Sequence, residues 1–270
     1  MKLALVQLSI SPGAPAENLE RALDRIAAAA GDGADLVVLP ELWNVGCFAF
    51  ETYRDAAEPL DGPTMTAIAD AAADHDVGIL AGSIVEDLER TPIPAPASDG
   101  LANTSVLFSR AGERLATYRK QHLFGYESEE ATRLTPGESL GLASFEGFTV
   151  GMTTCYDLRF PGMYRALVDE GVTLVLVPSA WPYPRLEHWE ILPQARAIEN
   201  LCYVAAANGV GDFEEASLLG RSAIVDPWGT TVAAAGDEPT ILTADIDSKR
   251  VESVRDEFPA LRDRRDRYRG

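Results

Sequence analysis

Residues 148–169 read FTVGMTTCYDLRFPGMYRALVD, and their pattern decides the fold. The run 148–154 is apolar and rich in residues that favour a pleated, buried surface, which predicts a strand. Cys155 stands at its carboxyl end. Pro161 suits the first turn of a helix, where its missing N–H goes unused and its fixed φ already fits. A helix is therefore expected over 161–169. Strand, turn and helix in succession are the building unit of an α/β protein.

The unit repeats outward in both directions. C-terminal to it, 172–177 and 202–207 read as strands around a helix at 187–200. Strands at 222–225 and 231–235 flank the turn Asp226-Pro227-Trp228-Gly229, and 240–246 is expected to close the sheet. N-terminal to it, strands are expected at 3–8, 35–39 and 77–85, with helices at 17–30 and 64–74. A hairpin is expected from 103–108 and 113–119 across Ala111-Gly112. The Pro-rich stretch 91–100 reads as a loop, and 121–141 is polar with little periodicity, long enough to be a functional loop. Near-continuous apolar strands call for burial on both faces. No linker composition interrupts the chain, so one domain is expected.

Composition narrows the function classes. The 270 residues are 46% hydrophobic and 24% charged, ordinary for a globular protein. The net charge of −19 repels nucleic acid and anionic membranes, so neither is expected as a partner. Lys2, Lys120 and Lys249 are the only lysines in this acid-rich chain, a balance like that of proteins from salt-loving organisms. A halophilic habit is expected from it, with salt screening the self-repulsion. Cys47, Cys155 and Cys202 are odd in number and widely spaced, which gives neither a disulfide framework nor a zinc site and suits a reducing cytoplasm. No stretch is long and apolar enough to predict a membrane span, and the apolar start reads as a buried strand rather than a signal peptide.

Three strand ends carry chemistry. Glu41 lies within LVVLPEL, just past a buried strand, Cys155 ends the strand quoted above, and Lys120 ends the hairpin in LATYRKQHLF. In open α/β sheets ligands bind beyond the carboxyl ends of strands. A carboxylate can take the proton of a thiol, and an ammonium can stabilise an anion. On spacing alone each residue keeps a structural alternative: Cys155 a small core residue, Glu41 a cap, Lys120 a surface charge. The three histidines have neither ligand spacing nor an HExxH pattern. No GxGxxG or P-loop points to a nucleotide.

Taken together, these segments resemble the nitrilase, or carbon–nitrogen hydrolase, superfamily. LVVLPEL, YRKQHLF and TTCYDLRFP match in family order, as do EATRLTPG, VPSAWP, HWEILPQARAIEN and GRSAIVDPWG. The resemblance implies a four-layer αββα sandwich over residues 1–250, completed as αββα-αββα in a homodimer, with 251–270 left as a charged tail. The dimer would pack through 161–169 and 187–200. The resemblance also implies a Glu41–Lys120–Cys155 triad. A second glutamate is placed at Glu130, with Glu129 as the fallback. Lys120 and the Tyr156 N–H would hold the oxyanion, and Trp181 would face the substrate. No cofactor and no metal are implied.

The stretches HLF, CYDLRFP and HWEILPQARA look most like the omega-amidase branch, whose members release ammonia from small amides bearing a distal carboxylate, through a cysteine thioester. Arg159 or a tyrosine could bind that carboxylate, and Arg159 could instead pair with Asp157 or another acid. A nitrilase would usually carry Trp after the nucleophile, where this chain has Tyr156. An N-carbamoyl amide hydrolase, a nitrile hydrolase or an inactive binding protein of the same fold are the alternatives. Segments 86–99 and 121–129 depart from the family pattern, and both are expected to border the pocket.

Overall fold

Leu3 and Leu5 pack into one apolar cluster and Ala4 and Val6 into another, all four fully or almost fully buried. Side chains alternate faces along a strand, so a strand apolar at every position must be covered on both sides. The computed structural model, which describes residues 1–126, 128–214 and 216–265, shows what covers it.

The first sheet holds β1 (Lys2–Gln7), β2 (Leu36–Val38), β3 (Gly78–Leu80), β4 (Ile84–Asp87), β5 (Leu101–Phe108) and β6 (Arg114–Arg119). Its strands β1, β2 and β3 are parallel. The second sheet holds β7 (Gly141–Phe145), β8 (Phe148–Met152), β9 (Leu174–Ser179), β10 (Tyr203–Asn208), β13 (Ala223–Val225) and β14 (Thr231–Ala234), with β8, β9 and β10 parallel. β11 (Val210–Asp212) and β12 (Ser217–Leu219) form a separate hairpin. β15 (Thr240–Asp245) pairs antiparallel with β1 and forms an edge of the first sheet.

Leu3, Leu5, Leu36, Val38 and Leu80 meet Val150, Met152 and Leu176 between the two sheets. Ala4, Val6, Val37 and Ile79 face outward onto α1 (Pro15–Gly31) and α3 (Pro63–Asp74), through Ala22, Ile26, Met65 and Ile68. α5 (Pro161–Asp169) and α6 (Leu186–Asn200) cover the second sheet. The result is the expected αββα sandwich. The short helices α2 (Tyr53–Ala56) and α4 (Glu130–Arg133) sit in connections, and α7 (Ser248–Glu257) follows β15.

Four local differences from the sequence expectation have physical causes. The 77–85 run is two strands, because Gly82 turns the chain at φ +61°. A Cβ there would lie 1.9 Å from the Pro40 carbonyl oxygen. β7 pairs antiparallel with β8, although Gly141, Ala143 and Ser144 give it a weak strand signal. The hairpin β11–β12 carries only three residues per strand, too few for periodicity to register.

Residues 251–257, expected in the charged tail, are helical. Val251 and Val254 are fully buried, and Arg255 donates to the carbonyls of Val172 and Leu201. One apolar face at i, i+3 suffices to dock an otherwise charged helix. Positions 266–270 of the tail lie outside the described residues. Among the described residues no helix is long and apolar enough to cross a membrane.

Candidate active site

Glu41 lies just beyond β2 in the first sheet, and Cys155 just beyond β8 in the second. The facing sheets bring these two ends together with Lys120, which follows β6. Glu41 is fixed by its neighbours. Its N–H donates to the Ser179 carbonyl at 3.3 Å, and the next N–H, of Leu42, donates to the Ser83 hydroxyl at 2.9 Å. Both Leu42 and Cys155 adopt positive φ, 43° and 45°. Such backbone costs about 1–2 kcal/mol for a residue with a Cβ and persists where packing over-determines it. At Cys155 it forms the elbow between β8 and a 3-10 turn (Cys155–Arg159).

The sequence-expected residues meet in one buried cluster. Lys120 Nζ lies 2.8 Å from Glu41 Oε1, 2.8 Å from Glu130 Oε1 and 3.0 Å from Glu130 Oε2. All three residues are at most 1% exposed. Of the two candidate glutamates, Glu130 is the one that lies in this buried cluster. Glu129 is exposed and pairs with Arg133 on the surface of α4. Glu130 Oε2 also accepts the Phe124 N–H at 2.9 Å. Glu41 Oε2 accepts the Ala180 N–H at 3.0 Å. Cys155 lines one pocket together with Glu41, Lys120, Glu130 and Ala180.

The electrostatics assign resting charges. Burial disfavours the Lys120 ammonium, but Glu130 and Glu41 outweigh it and hold the amine's pKa well above the usual value. Burial, then the nearby Glu41 charge, push the Cys155 thiol well up, against the pull of Lys120. Burial and Glu41 also raise Glu130, against Lys120. The resting site therefore holds a neutral thiol beside an ammonium, and the thiol needs a base at the moment of attack.

Tyr156, Arg159 and Trp181 all line the pocket above Cys155. The Arg159 guanidinium lies 4.8 Å from the Trp181 ring centroid and 5.7 Å from that of Tyr156. It does not pair with Asp157. That carboxylate instead accepts the Tyr118 hydroxyl at 2.6 Å and the Thr154 N–H at 2.8 Å, and its other oxygen lies 2.7 Å from His122 Nδ1. Of the two departing segments, 121–129 contributes Phe124 and Ser128 to the pocket wall. Segment 86–99 contributes no lining side chain among the described residues. Its Glu86 is instead bound by both Arg119 and Thr104.

Sequence reasoning missed three residues here. Asn103 Nδ2 donates to Glu41 Oε1 at 2.8 Å and reaches Glu130 Oε1 at 3.3 Å. It stands beside Thr104 and Ser105 in β5, and nothing in that polar stretch singles it out. Cys47 lines the pocket, its thiol pushed well up by burial, Glu41 and Glu130. Arg185 also lines it, its guanidinium 5.3 Å from the Phe124 ring. A lone cation four residues after Trp181 could have pointed to it.

A family model described as carbon-nitrogen hydrolase matches residues 2–256. The 2-oxoglutaramate amidase of Paenarthrobacter nicotinovorans is 37% identical over 86% of this chain and 79% of its own. The 2-oxoglutaramate amidase of Bacillus subtilis is 33% identical over 98% of both chains. The crystal structure of a CN-hydrolase superfamily protein from Xanthomonas campestris superposes with a TM-score of 0.89 at 31% identity, covering 100% of this chain and 99% of that one. With the Glu41–Lys120–Cys155 geometry in place, these matches lead to one conclusion: the chain belongs to the carbon–nitrogen hydrolase family.

Proposed function

We propose that this protein is an amidase that cleaves a small amide bearing a distal carboxylate, releasing ammonia through a thioester on Cys155. The observation that carries this reading is the buried Glu41–Lys120 ion pair, which shares one pocket with Cys155 and Arg159. The names of the two amidase relatives support an omega-amide of a keto acid as the substrate class.

The chemistry follows from the resting charges. Glu41 takes the Cys155 proton as sulfur attacks the amide carbon. The carbonyl oxygen becomes an oxyanion, held by the Lys120 ammonium and the Tyr156 N–H. Lys120 acts as an electrostatic donor and not as the base, because two glutamates keep it protonated. Glu41 passes its proton to the leaving nitrogen, the carbon–nitrogen bond breaks, and ammonia departs. Glu41 then takes a proton from water, whose oxygen attacks the thioester. Collapse returns the thiol and frees the acid. Glu130 holds Lys120 from its far side, so that the ammonium stays aimed between Glu41 and the substrate.

Three further properties belong to this reading. A homodimer through α5 and α6 is supported by Ile191 and Ile198, which leave α6 60% and 52% exposed. Sedimentation at micromolar concentration tests it, and a monomer would contradict it. A cytoplasmic location fits three free, buried cysteines, and cell fractionation tests it. A halophilic habit fits the charge of −19, and a melting temperature that fails to rise with KCl would contradict it.

The function is tested by ammonia release from half-amides of short dicarboxylates, with and without a 2-oxo group, against neutral amides of equal length. A kcat/KM at least tenfold higher for the acids is expected. Equal turnover of neutral amides would overturn the substrate class.

A further inference from the structure

Arg185 is held on the pocket rim by its backbone. Its carbonyl accepts the Trp181 indole N–H at 2.9 Å and the Trp189 N–H at 3.2 Å, while its own N–H donates to the Pro182 carbonyl at 3.3 Å. Its guanidinium lies against Phe124, whose N–H in turn holds Glu130. Across the pocket, Arg159 lies against Trp181 and Tyr156, and its polar contact is His188 Nδ1 at 3.1 Å.

Both guanidiniums therefore rest on aromatic walls over the nucleophile. Among the described residues neither makes a salt bridge, in a chain where acids outnumber bases 42 to 23. Burial draws the Arg159 pKa down, and the charge of Arg185 adds in the same direction. Like charges on one small pocket repel until an anion sits between them.

The floor of the pocket has the opposite character. One ammonium between two glutamates leaves an excess of carboxylate there. An incoming carboxylate is repelled from the floor and drawn to the rim, which turns the amide end of the substrate toward Cys155.

We infer that Arg185 is a specificity-determining residue, which together with Arg159 seats the distal carboxylate of the substrate and orients the amide toward the nucleophile. This rests on the amidase reading above.

The test compares wild type, Arg185→Gln and Arg185→Lys on succinamate and on butyramide, a neutral amide of the same length, with succinate as competitive inhibitor. For Arg185→Gln, the KM for succinamate and the Ki for succinate rise about tenfold or more, as the loss of a charged hydrogen bond requires. Its kinetics on butyramide, which has no carboxylate to seat, stay within about twofold. Arg185→Lys recovers part of the loss, because it keeps the charge without the planar fork.

Unchanged KM and Ki in Arg185→Gln, with wild type still preferring succinamate, would overturn the inference and leave the amidase reading standing. An equal rise in KM on both amides would also overturn it, by marking Arg185 as a general wall residue. A wild type indifferent to the carboxylate, or inactive on both amides, would overturn the underlying reading itself.

Discussion

The Tyr118 hydroxyl donates to Asp157 at 2.6 Å, and this bond joins the strand that leads into Lys120 to the turn that begins at Cys155. Tyr118 stands two residues before the lysine and Asp157 two after the cysteine. Burial, reinforced by the Asp157 charge, pushes the Tyr118 pKa well up, so the phenol remains a donor. Tyr118→Phe is expected to cost about 1.5–3 kcal/mol, the range for a hydrogen bond to a charged group. It should lower kcat more than it raises KM, because the ammonium and the thiol lose a shared anchor. Denaturant midpoints and steady-state kinetics measure both. A full kcat in the variant would show that the remaining bonds to Asp157 suffice.

Asn103 allows two glutamates to share one lysine. Its amide donates to the same Glu41 oxygen that Lys120 contacts, and reaches Glu130 as well. Asn103→Ala removes this donor and leaves the carboxylates to repel each other. We expect kcat to fall about tenfold or more, with the acidic limb of the rate–pH profile moved upward, as less stabilised carboxylates take protons at higher pH. A rate loss with an unmoved profile would reduce Asn103 to packing.

Glu41→Gln separates thiolate supply from proton transfer. The Glu41 charge is second only to burial in raising the Cys155 pKa. Removing that charge should lower the thiol pKa, so that alkylation of Cys155 by iodoacetamide rises at lower pH than in wild type. Amide hydrolysis should nevertheless collapse, by a factor of about 100 or more, for want of a base. Mass spectrometry of the Cys155 peptide reads the first effect and ammonia release the second. Cys202, pushed up to about 12 by burial, serves as the unreactive control.

Gly82 is where the backbone beneath Glu41 tolerates no side chain. A Cβ would lie 1.9 Å from the Pro40 carbonyl oxygen and 2.7 Å from the Trp43 ring, at a φ of +61°. Gly82→Ala should destabilise the protein by about 3 kcal/mol or more. Gly31, at the end of α1 with open space around it, is the contrast. Gly31→Ala should be neutral or stabilising by up to about 1 kcal/mol. Equal denaturant midpoints for the two variants would contradict this reading of the backbone.

The long buried strands and the helices α1, α3, α5 and α6 were legible because each has a local period. The break at Gly82 between β3 and β4 was hidden, since an apolar run interrupted only by small residues reads as a continuous strand. α7 was hidden by its charge, because only Val251 and Val254 carry its packing. That Glu41, Lys120 and Cys155 share one pocket was legible from strand ends and from the family motifs around them.

Asn103, Cys47 and Arg185 were not legible. Each gains its place from pairing distant in sequence: Asn103 from the β5–β6 register that sets it beside Lys120, Cys47 and Arg185 from loops folded over a pocket wall. Local pattern carries no information about such pairings.

The central claim is that Cys155 carries the acyl group. Its most direct test follows ammonia and hydroxamate from succinamate in the presence of hydroxylamine, in wild type and in Cys155→Ala. Wild type should release ammonia and divide the acyl group between acid and hydroxamate. Cys155→Ala, still folded by its melting curve, should give neither product above background. Ammonia release that survives in Cys155→Ala would contradict the thioester route and place the chemistry elsewhere in the pocket.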